Sequence, residues 1–285
     1  MCLATCHNSN YAFGWNAAMI ISGSHTAIDG IPNVTQWQLH IGIESPEIVS
    51  SATQQTVDRA CGVLDWKGVI ATYGVEPVFL PGENITFKGA LDGGYGIMGP
   101  CYINGVQAIA NLETNAPLAL IYELVGNGAL EVTDDLSVTD SSTPNLICPE
   151  GLNVTFGDTE LSVVDWRVVL QREGVPYVAN TTNGVRKRLY GVLDARVIMH
   201  LHLENPLPLW VGDTDVLHIF VDETKYWEFQ WARIETIDQL GVDLDSVRGR
   251  EVPKYEVQYV PQLWAEDEQG VMKTPNKKQI WPEEA

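Results

Sequence analysis

One unit occurs twice in this chain, and the repeat restricts the possible folds more than any other feature of the sequence. The tetrapeptide Gly62–Asp65 returns unchanged 129 residues later as Gly191–Asp194. Without a gap, residues 37–65 and 166–194 agree at nine of 29 positions, where roughly two would agree by chance. A repeat of this length has the size of a domain, far longer than a solenoid or propeller unit. The sequence therefore predicts two tandem copies of one domain.

The residue pattern favours β structure in both copies. Strand-forming residues are plentiful, 25 glycines and 15 prolines are spread along the chain, and long helical periodicity is scarce. In the opening strand, Thr35–Glu44, Trp37 and Leu39 alternate with Gln38 and His40. This alternation predicts one buried face and one wet face. The residues expected to anchor the two cores hold equivalent positions in the copies: Trp37, Leu64, Trp166 and Leu193.

Further strands are expected after turns at Gly82 and Gly212, where glycine supplies a permissive backbone. They include, in chain order, Gly96–Ile103, Val106–Leu112, Tyr226–Trp231 and Ala232–Ile237. The predicted organisation is an N-terminal arm (1–25), a first domain (26–130), a linker (131–152), a second domain (153–262) and a C-terminal extension (263–285).

A long polar connection follows the opening strand of each copy. Ser45–Cys61 in the first copy matches Gly174–Tyr190 in the second at equal length, and neither has an apolar period. Connections of this length inside a compact β unit tend to be functional or disordered. We therefore expect these two loops to serve function.

The net charge of −20, with a pI near 4.5, argues against ordinary nucleic-acid binding, which needs Lys and Arg to neutralise phosphates. It leaves open a protein that must touch DNA without holding it. Five cysteines, an odd number, do not suggest a disulfide framework. The sequence shows neither a convincing signal peptide nor an apolar run of the roughly 20 residues that span a bilayer. We expect a soluble protein, made in the cytosol without a cofactor.

No set of residues in the sequence predicts catalysis or a metal site. Cys2, Cys6 and His7 lack the second pair of ligands that a structural zinc site needs. His200 and His202 face one side of a predicted strand, without a matching carboxylate cluster. The chain also lacks a nucleophile-elbow, phosphate-loop or dinucleotide motif. We therefore expect no enzymatic activity.

Several motifs together resemble the tail tube protein of long-tailed bacteriophages. They are the Trp-bearing first strand, the long polar loop, Gly-x-x-Asp-Trp (Gly62–Trp66), Leu-Pro-Gly-Glu (Leu80–Glu83) and Gly-Asn-Gly (Gly126–Gly128). The resemblance covers about residues 26–262, although the second copy has Ala195 in place of Trp66 and lacks the closing Gly-Asn-Gly. It implies a mostly β chain of two tandem tail-tube-like β-sandwich or half-barrel domains, each with a short flanking helix.

The same resemblance implies a structural virion protein that assembles into stacked rings around a lumen for DNA. Two domains in one chain suggest a homotrimeric ring with pseudo-six-fold symmetry, since heterologous contacts close when the rotation divides the circle. The expected location is the virion tail. The expected partners are further copies of the chain, the tape-measure protein, the tail-terminator or distal tail proteins, and DNA in transient, non-specific passage, with no membrane.

Two groups of residues are candidates for that role. The polar faces of the long strands are expected to line the lumen, through Gln38, His40, Glu44, Arg167, Gln171, Glu173, Lys254, Glu256 and Gln258. The long loops are expected to reach neighbouring subunits or rings, through Glu47, Val49, Thr53, Gln55, Asp58, Arg59, Tyr177, Val178, Thr182, Arg186, Lys187 and Arg188.

Two other functions remain open from the sequence. Another tail-axis component, such as a distal tail or baseplate-hub ring protein, can share the fold. A tandem β-sandwich module that binds carbohydrate could use Trp210, Trp227 or Trp231, which lie on or near predicted turns.

Overall fold

The structure is a computed structural model that describes nineteen strands and the turns beside them. The described residues are 16–21, 34–44, 47–49, 56–59, 63–74, 79, 81–90, 96–112, 114, 116–133, 147–148, 153–177, 186–202, 209–221, 225–239, 254–261, 265–266, 272–273 and 283–284. Fifteen strands form one antiparallel sheet, and two small sheets have two strands each. The prediction of a mostly β chain is confirmed.

Nine strands lie in the first half of the chain. They are β1 (Asn16–Ile21), β2 (Val34–Glu44), β3 (Glu47–Val49), β4 (Thr56–Arg59), β5 (Val63–Tyr73), β6 (Asn84–Ala90), β7 (Gly96–Asn111), β8 (Ala119–Gly126) and β9 (Glu131–Thr133).

Ten strands follow in the second half. They are β10 (Val154–Phe156), β11 (Thr159–Glu160), β12 (Val163–Tyr177), β13 (Lys187–His202), β14 (Thr214–Phe220), β15 (Lys225–Gln239), β16 (Lys254–Pro261), β17 (Ala265–Glu266), β18 (Met272–Lys273) and β19 (Glu283–Glu284).

The two halves have the same order of main strands. In the first half the order is β2-β5-β8-β7-β6, and in the second it is β12-β13-β16-β15-β14. If the five main strands of each half are numbered along the chain, their order in the sheet is first, second, fifth, fourth and third in both halves. Five strands can be arranged in many ways, so identical arrangements agree with the repeat in the sequence.

The fourth main strand is one long strand in each half, where the sequence suggested two. Its pairing with the fifth strand is irregular between Ile103 and Gly105 in β7, and between Ile234 and Thr236 in β15. Such a bulge interrupts the alternation of side chains and bends the strand without ending it. The sequence pattern therefore breaks at this point although the strand continues, and the bulge occupies equivalent positions in both halves.

The turn before the third main strand, β6 or β14, is also equivalent in the two halves. Gly82 and Gly212 have φ values of 93° and 99°, which favour glycine. The Gly82 N–H donates to the carbonyl of Ile103 at 2.7 Å, and the Gly212 N–H donates to the carbonyl of Ile234 at 2.9 Å. Each turn is therefore fixed against the bulge of its own half.

One strand pair joins the halves into a single sheet. β12, the first main strand of the second half, pairs with the later part of β7 from Asp165 opposite Asn111 to Gln171 opposite Gly105. The hydrophobic core is likewise continuous across this junction. It contains Trp166 and Trp227, both fully buried, with ring centroids 5.5 Å apart in an edge-to-face contact.

The terminal and connecting segments differ in part from expectation. Asn16–Ile21, predicted as part of an arm, instead forms a strand that pairs with β6 along its whole length. Glu131–Thr133, predicted as the start of the linker, pairs with the beginning of β7. In the C-terminal extension, β17 pairs with β18, and β19 pairs with the start of β15.

The described residues contain no helix, so the short flanking helices are not confirmed. Within these same ranges there is accordingly no helical segment with the length and apolar character needed to cross a bilayer.

Candidate assembly interface

The residues predicted to line a lumen come together on one face of the sheet, here called the polar face. Directly opposite residues of neighbouring strands point to the same side. One such row runs across the sheet through Gln38, Val69, Glu123, Gly105, Gln171 and Asp194. A second runs through Gln258, Ile198, Arg167 and Ile109. Candidates from both halves therefore share a surface.

The remaining lumen candidates agree with this placement as far as the structure describes them. His40 lies opposite Lys67, and Glu256 lies opposite His200 on the polar face. Glu173 is exposed and lies in a bulge of β12. The register places Glu44 opposite Val63 and Lys254 opposite His202.

The polar face carries more carboxylates than Lys or Arg side chains. Among the described residues, its carboxylates include Glu123, Asp165, Asp194, Asp238 and Glu256, and its cations include Lys67, Arg167, Arg196 and Arg233. Asp65 also lies on this face, but Arg186 and Arg188 pair with it. His200 lies between two acids, with Nδ1 2.6 Å from Asp165 and Nε2 3.3 Å from Glu256. Among the residues the structure covers, no group of three or more His, Cys, Asp or Glu side chains has an arrangement that could hold a metal ion. The described part of the polar face is thus an acidic surface.

The two segments predicted as loops are partly strands. In the second copy, Gly174–Tyr177 continues β12 and Lys187–Tyr190 begins β13, with Pro176 opposite Arg188. We call Gly174–Tyr177 with residues 186–190 the second arm. In the first copy, β3 and β4 pair with Glu47 opposite Arg59, and we call these two strands the first arm.

Adding 129 to the residue numbers of a pair in the first arm gives a pair of the second arm. Glu47 then matches Pro176, and Arg59 matches Arg188. The sequence pattern missed these strands because cross-strand pairing, not an apolar period, defines a solvent-exposed ribbon. Of the loop candidates, Thr53, Gln55, Val178 and Thr182 lie outside the described residues. Val49 lies in β3, Asp58 in β4 and Tyr177 in β12.

The second arm binds the first half of its own chain through Arg188. The Arg188 side chain is 5% exposed, and its Nη2 lies 2.8 Å from Oδ2 of Asp65. Its Nη1 donates to the carbonyl of Gly126, and its backbone N–H donates to Oδ1 of Asn127 at 3.1 Å. Charge-assisted bonds of this kind are stronger than neutral ones. Arg188 thus holds β5 and the end of β8 together.

Two further cations strengthen the same contact. Arg186 lies 3.0 Å from Oδ2 of Asp65, and Lys187 donates from Nζ to the carbonyl of Asn127 at 2.7 Å. The Trp66 indole N–H donates to the carbonyl of Gly128 at 2.9 Å and fixes the Gly-Asn-Gly turn. A Cβ at Gly126 would lie 2.4 Å from Nε1 of Trp66, so this packing requires glycine. The loop candidates Arg186, Lys187 and Arg188 therefore contact their own chain.

Asp65 and Asn127 belong to this contact but were not among the predicted site residues. The available signal was their place in motifs: Asp65 ends the repeated tetrapeptide, and Asn127 is the centre of Gly-Asn-Gly. Sequence alone gave no link from these motifs to Arg188, because more than 60 residues separate Asn127 from Arg188 and more than 120 separate Asp65 from it.

Equivalent residues of the two copies differ in burial. Trp166 is fully buried whereas Trp37 is half-buried, and Leu170 is 1% exposed whereas Ile41 is 50% exposed. Leu193, like Trp37, packs half-buried against the core, and Leu64 is also half-buried. β12 has neighbours on both sides, while β2 pairs only with β5 among the strands described. Among the described strands, β2 therefore has one edge without a strand partner.

The three candidate tryptophans are in different surroundings. Trp227 is part of the core, whereas Trp210 is 77% and Trp231 52% exposed. Cys101 is buried, and this burial raises the pKa of its thiol to about 12, so it is not a nucleophile near neutral pH.

Comparison with known proteins identifies no relative, since neither a protein-family model nor a curated protein matches the sequence.

Proposed function

We propose that this chain is a structural protein that assembles head to tail into rings, and that stacked rings form the tail tube of a long-tailed bacteriophage. In this proposal residues 26–130 and 153–262 are two tandem tail-tube-like domains. Three such chains would close a ring with pseudo-six-fold symmetry, and the polar face would line a channel for DNA.

The observation that carries the proposal is the junction between β7 and β12. It joins one unit to an equivalent unit by continuing the sheet, and the contact is heterologous, because β7 and β12 are different strands of the repeat. A heterologous contact joins two different surfaces. When two equivalent units form one such contact, each unit keeps one surface unused. Those surfaces are the outer edge of β2 and the later part of β15, neither of which has a further strand partner among the described residues.

An open sheet edge favours pairing with another chain. Exposed edges present unpaired N–H and C=O groups and promote association unless they are covered. A closed ring removes such edges, because each end of the sheet finds the opposite end of a neighbour. This logic favours a ring over an isolated protein.

The charge of the polar face agrees with a channel for DNA. Its excess of carboxylates would repel the phosphate backbone, so DNA could pass without being held. The outward side of the second arm exposes Val175 and Leu189, which lie opposite each other and could contact the next ring.

Negative-stain electron microscopy of the purified full-length chain tests the proposal. We expect rings and tubes with a central channel at raised protein concentration, and six-fold features from three chains in averaged images. Single rings that never stack would favour another tail-axis component instead. A protein that stays monomeric at all concentrations and binds glycans through Trp210 would refute the proposal.

The first arm should be needed for assembly, and its removal is a matched test. Replacing residues 46–60 by a short Gly-Ser turn should leave a folded chain that forms no tubes. The second arm is anchored in its own chain by Arg188, so the same replacement there should instead destabilise the monomer.

A further inference from the structure

We propose a specific contact between two copies of this chain: β2 of one copy pairs with the end of β15 of the next, and Arg59 of the first binds Asp194 of the second. This contact rests on the proposed head-to-tail assembly. It copies the junction between β7 and β12 and the salt bridge of Arg188 with Asp65, both of which exist within one chain.

The strand register follows from the equivalent positions. β2 matches β12 by the 129-residue repeat, and β15 matches β7 by the bulges at Ile103 and Ile234. In the internal junction, Leu170 lies opposite Val106 and Val169 opposite Gln107. The matching pairs between two copies are Ile41 opposite Ile237, His40 opposite Asp238, and Gly42 opposite Thr236.

The uncovered apolar residue on β2 fits this register. Leu170 and Val106 are each 1% exposed because they cover one another in the internal junction. Ile41 holds the position of Leu170 and is 50% exposed. Ile237, its expected partner, is half-buried at the open edge of β15. The new strand pair would bury an isoleucine from each copy. It would also place the His40 imidazole opposite the Asp238 carboxylate, which can accept a hydrogen bond from the imidazole N–H.

The arm contact supports the same arrangement. Arg59 holds the position of Arg188 in an arm with the same strand register. Asp194 holds the position of Asp65, yet its side chain is 56% exposed, whereas that of Asp65 is 17% exposed. The two aspartates differ in exposure because the second arm contacts Asp65, whereas no arm contacts Asp194 among the described residues. Among the described residues, Asp194 forms an ion pair with Arg196 at 3.6 Å. This pair is exposed and therefore weak.

The two contacts also agree in geometry. In the internal case, one half contributes both β12 and the second arm, which is the continuation of β12 and β13. The partner half contributes both the edge of β7 and Asp65. Between copies, β2 and the first arm likewise come from one half, and β15 and Asp194 from another. In the proposed contact the first arm would extend from β2 and β5 as the second arm extends from β12 and β13, and a single placement of the two chains would then satisfy both contacts.

Charge reversal on the full-length chain tests the salt bridge. We expect Arg59→Asp and Asp194→Arg each to raise the protein concentration needed for assembly by roughly tenfold or more, measured by light scattering and electron microscopy. The double variant should restore assembly towards the wild-type concentration. Asp158→Arg, an exposed change of the same charge, is the matched control and should assemble normally.

A cysteine pair tests the strand register independently. His40→Cys with Asp238→Cys should form disulfide-linked oligomers under mild oxidation, seen as a ladder on non-reducing gels. His40→Cys with Glu228→Cys, on the earlier part of β15, should not.

The outcomes separate this inference from the proposed function. Tubes that form equally well in the wild type and in both charge variants, without the ladder, would overturn the specific contact but leave the tube. No assemblies from the wild-type chain and no ladder from the variant with His40→Cys and Asp238→Cys would overturn both. Loss of assembly in the single charge variants, with recovery of assembly in the double variant, would support both the specific contact and the proposed function.

Discussion

The repeat offers a test in which the aspartates at two equivalent positions, Asp65 and Asp194, are each replaced by alanine, with unequal expected effects on the stability of the monomer. Asp65→Ala takes the counter-charge from Arg188, whose side chain is 5% exposed. Removing one partner of a buried pair costs about 3–5 kcal/mol. We expect about 3 kcal/mol here, because Gly126 still accepts from Arg188 and Asp65 is not completely buried.

Asp194→Ala should change the stability of the monomer by less than about 0.5 kcal/mol, because its pair with Arg196 is exposed. Urea unfolding followed by tryptophan fluorescence, at a concentration where the chain is monomeric, measures both variants. With a slope of about 3 kcal/mol per M, the midpoint of Asp65→Ala should fall by about 1 M. Asp65→Asn, which keeps the shape of the side chain, should fall in between. Equal midpoints for Asp65→Ala and Asp194→Ala would refute the reasoning.

Three further effects are expected. Trp166→Ala should cost about 3–5 kcal/mol because Trp166 is fully buried, and Trp37→Ala should cost clearly less because Trp37 is half-buried; denaturant unfolding compares the two. Gly212→Ala should cost about 1–2 kcal/mol in thermal or urea unfolding from its φ of 99° alone, since an added Cβ meets no atom within 4 Å. Cys101 should resist alkylation at pH 8 while Cys148 reacts, as peptide mapping would show; equal labelling would contradict its burial. Because burial raises the pKa of Cys101 from 9.0 to about 12, the folded state keeps its proton longer than the unfolded state. Stability should therefore fall as the pH rises above 9, and Cys101→Ala should lose this part of the pH dependence.

Local patterns in the sequence predicted local structure well. The alternation in Thr35–Glu44 predicted β2, which begins one residue earlier, and Gly82 and Gly212 predicted turns that need a positive φ. The same patterns failed at the bulges beside Ile103 and Ile234. There the alternation changes phase inside a continuous strand, and a sequence reader sees two strands.

The contacts between the halves could not be read from the sequence, because they depend on which strands become neighbours. Arg188 and Asp65 were each noticed as part of a repeat, but only the pairing of β12 with β7 brings them together. The sequence predicts loops where the structure has the two arms for the same reason. The pairing of Pro176 with Arg188 satisfies the backbone of an exposed ribbon without any apolar pattern. These contacts are determined by the register between strands that are distant in the sequence, and not by the local propensity of each segment.

Placing β7 and β12 on one polypeptide also affects how assembly starts. Tethered segments meet at an effective concentration that can reach the order of a millimolar, whatever the amount of protein present. The internal junction therefore forms as the chain folds, whereas the edge of β2 must find its partner by diffusion. Under the proposed ring, every second junction is complete before any encounter. A ring of three chains then has three junctions to form between chains, where a ring of six single units has six. Each junction between chains can consequently be weak and reversible by itself. A misplaced chain can then dissociate before the ring closes.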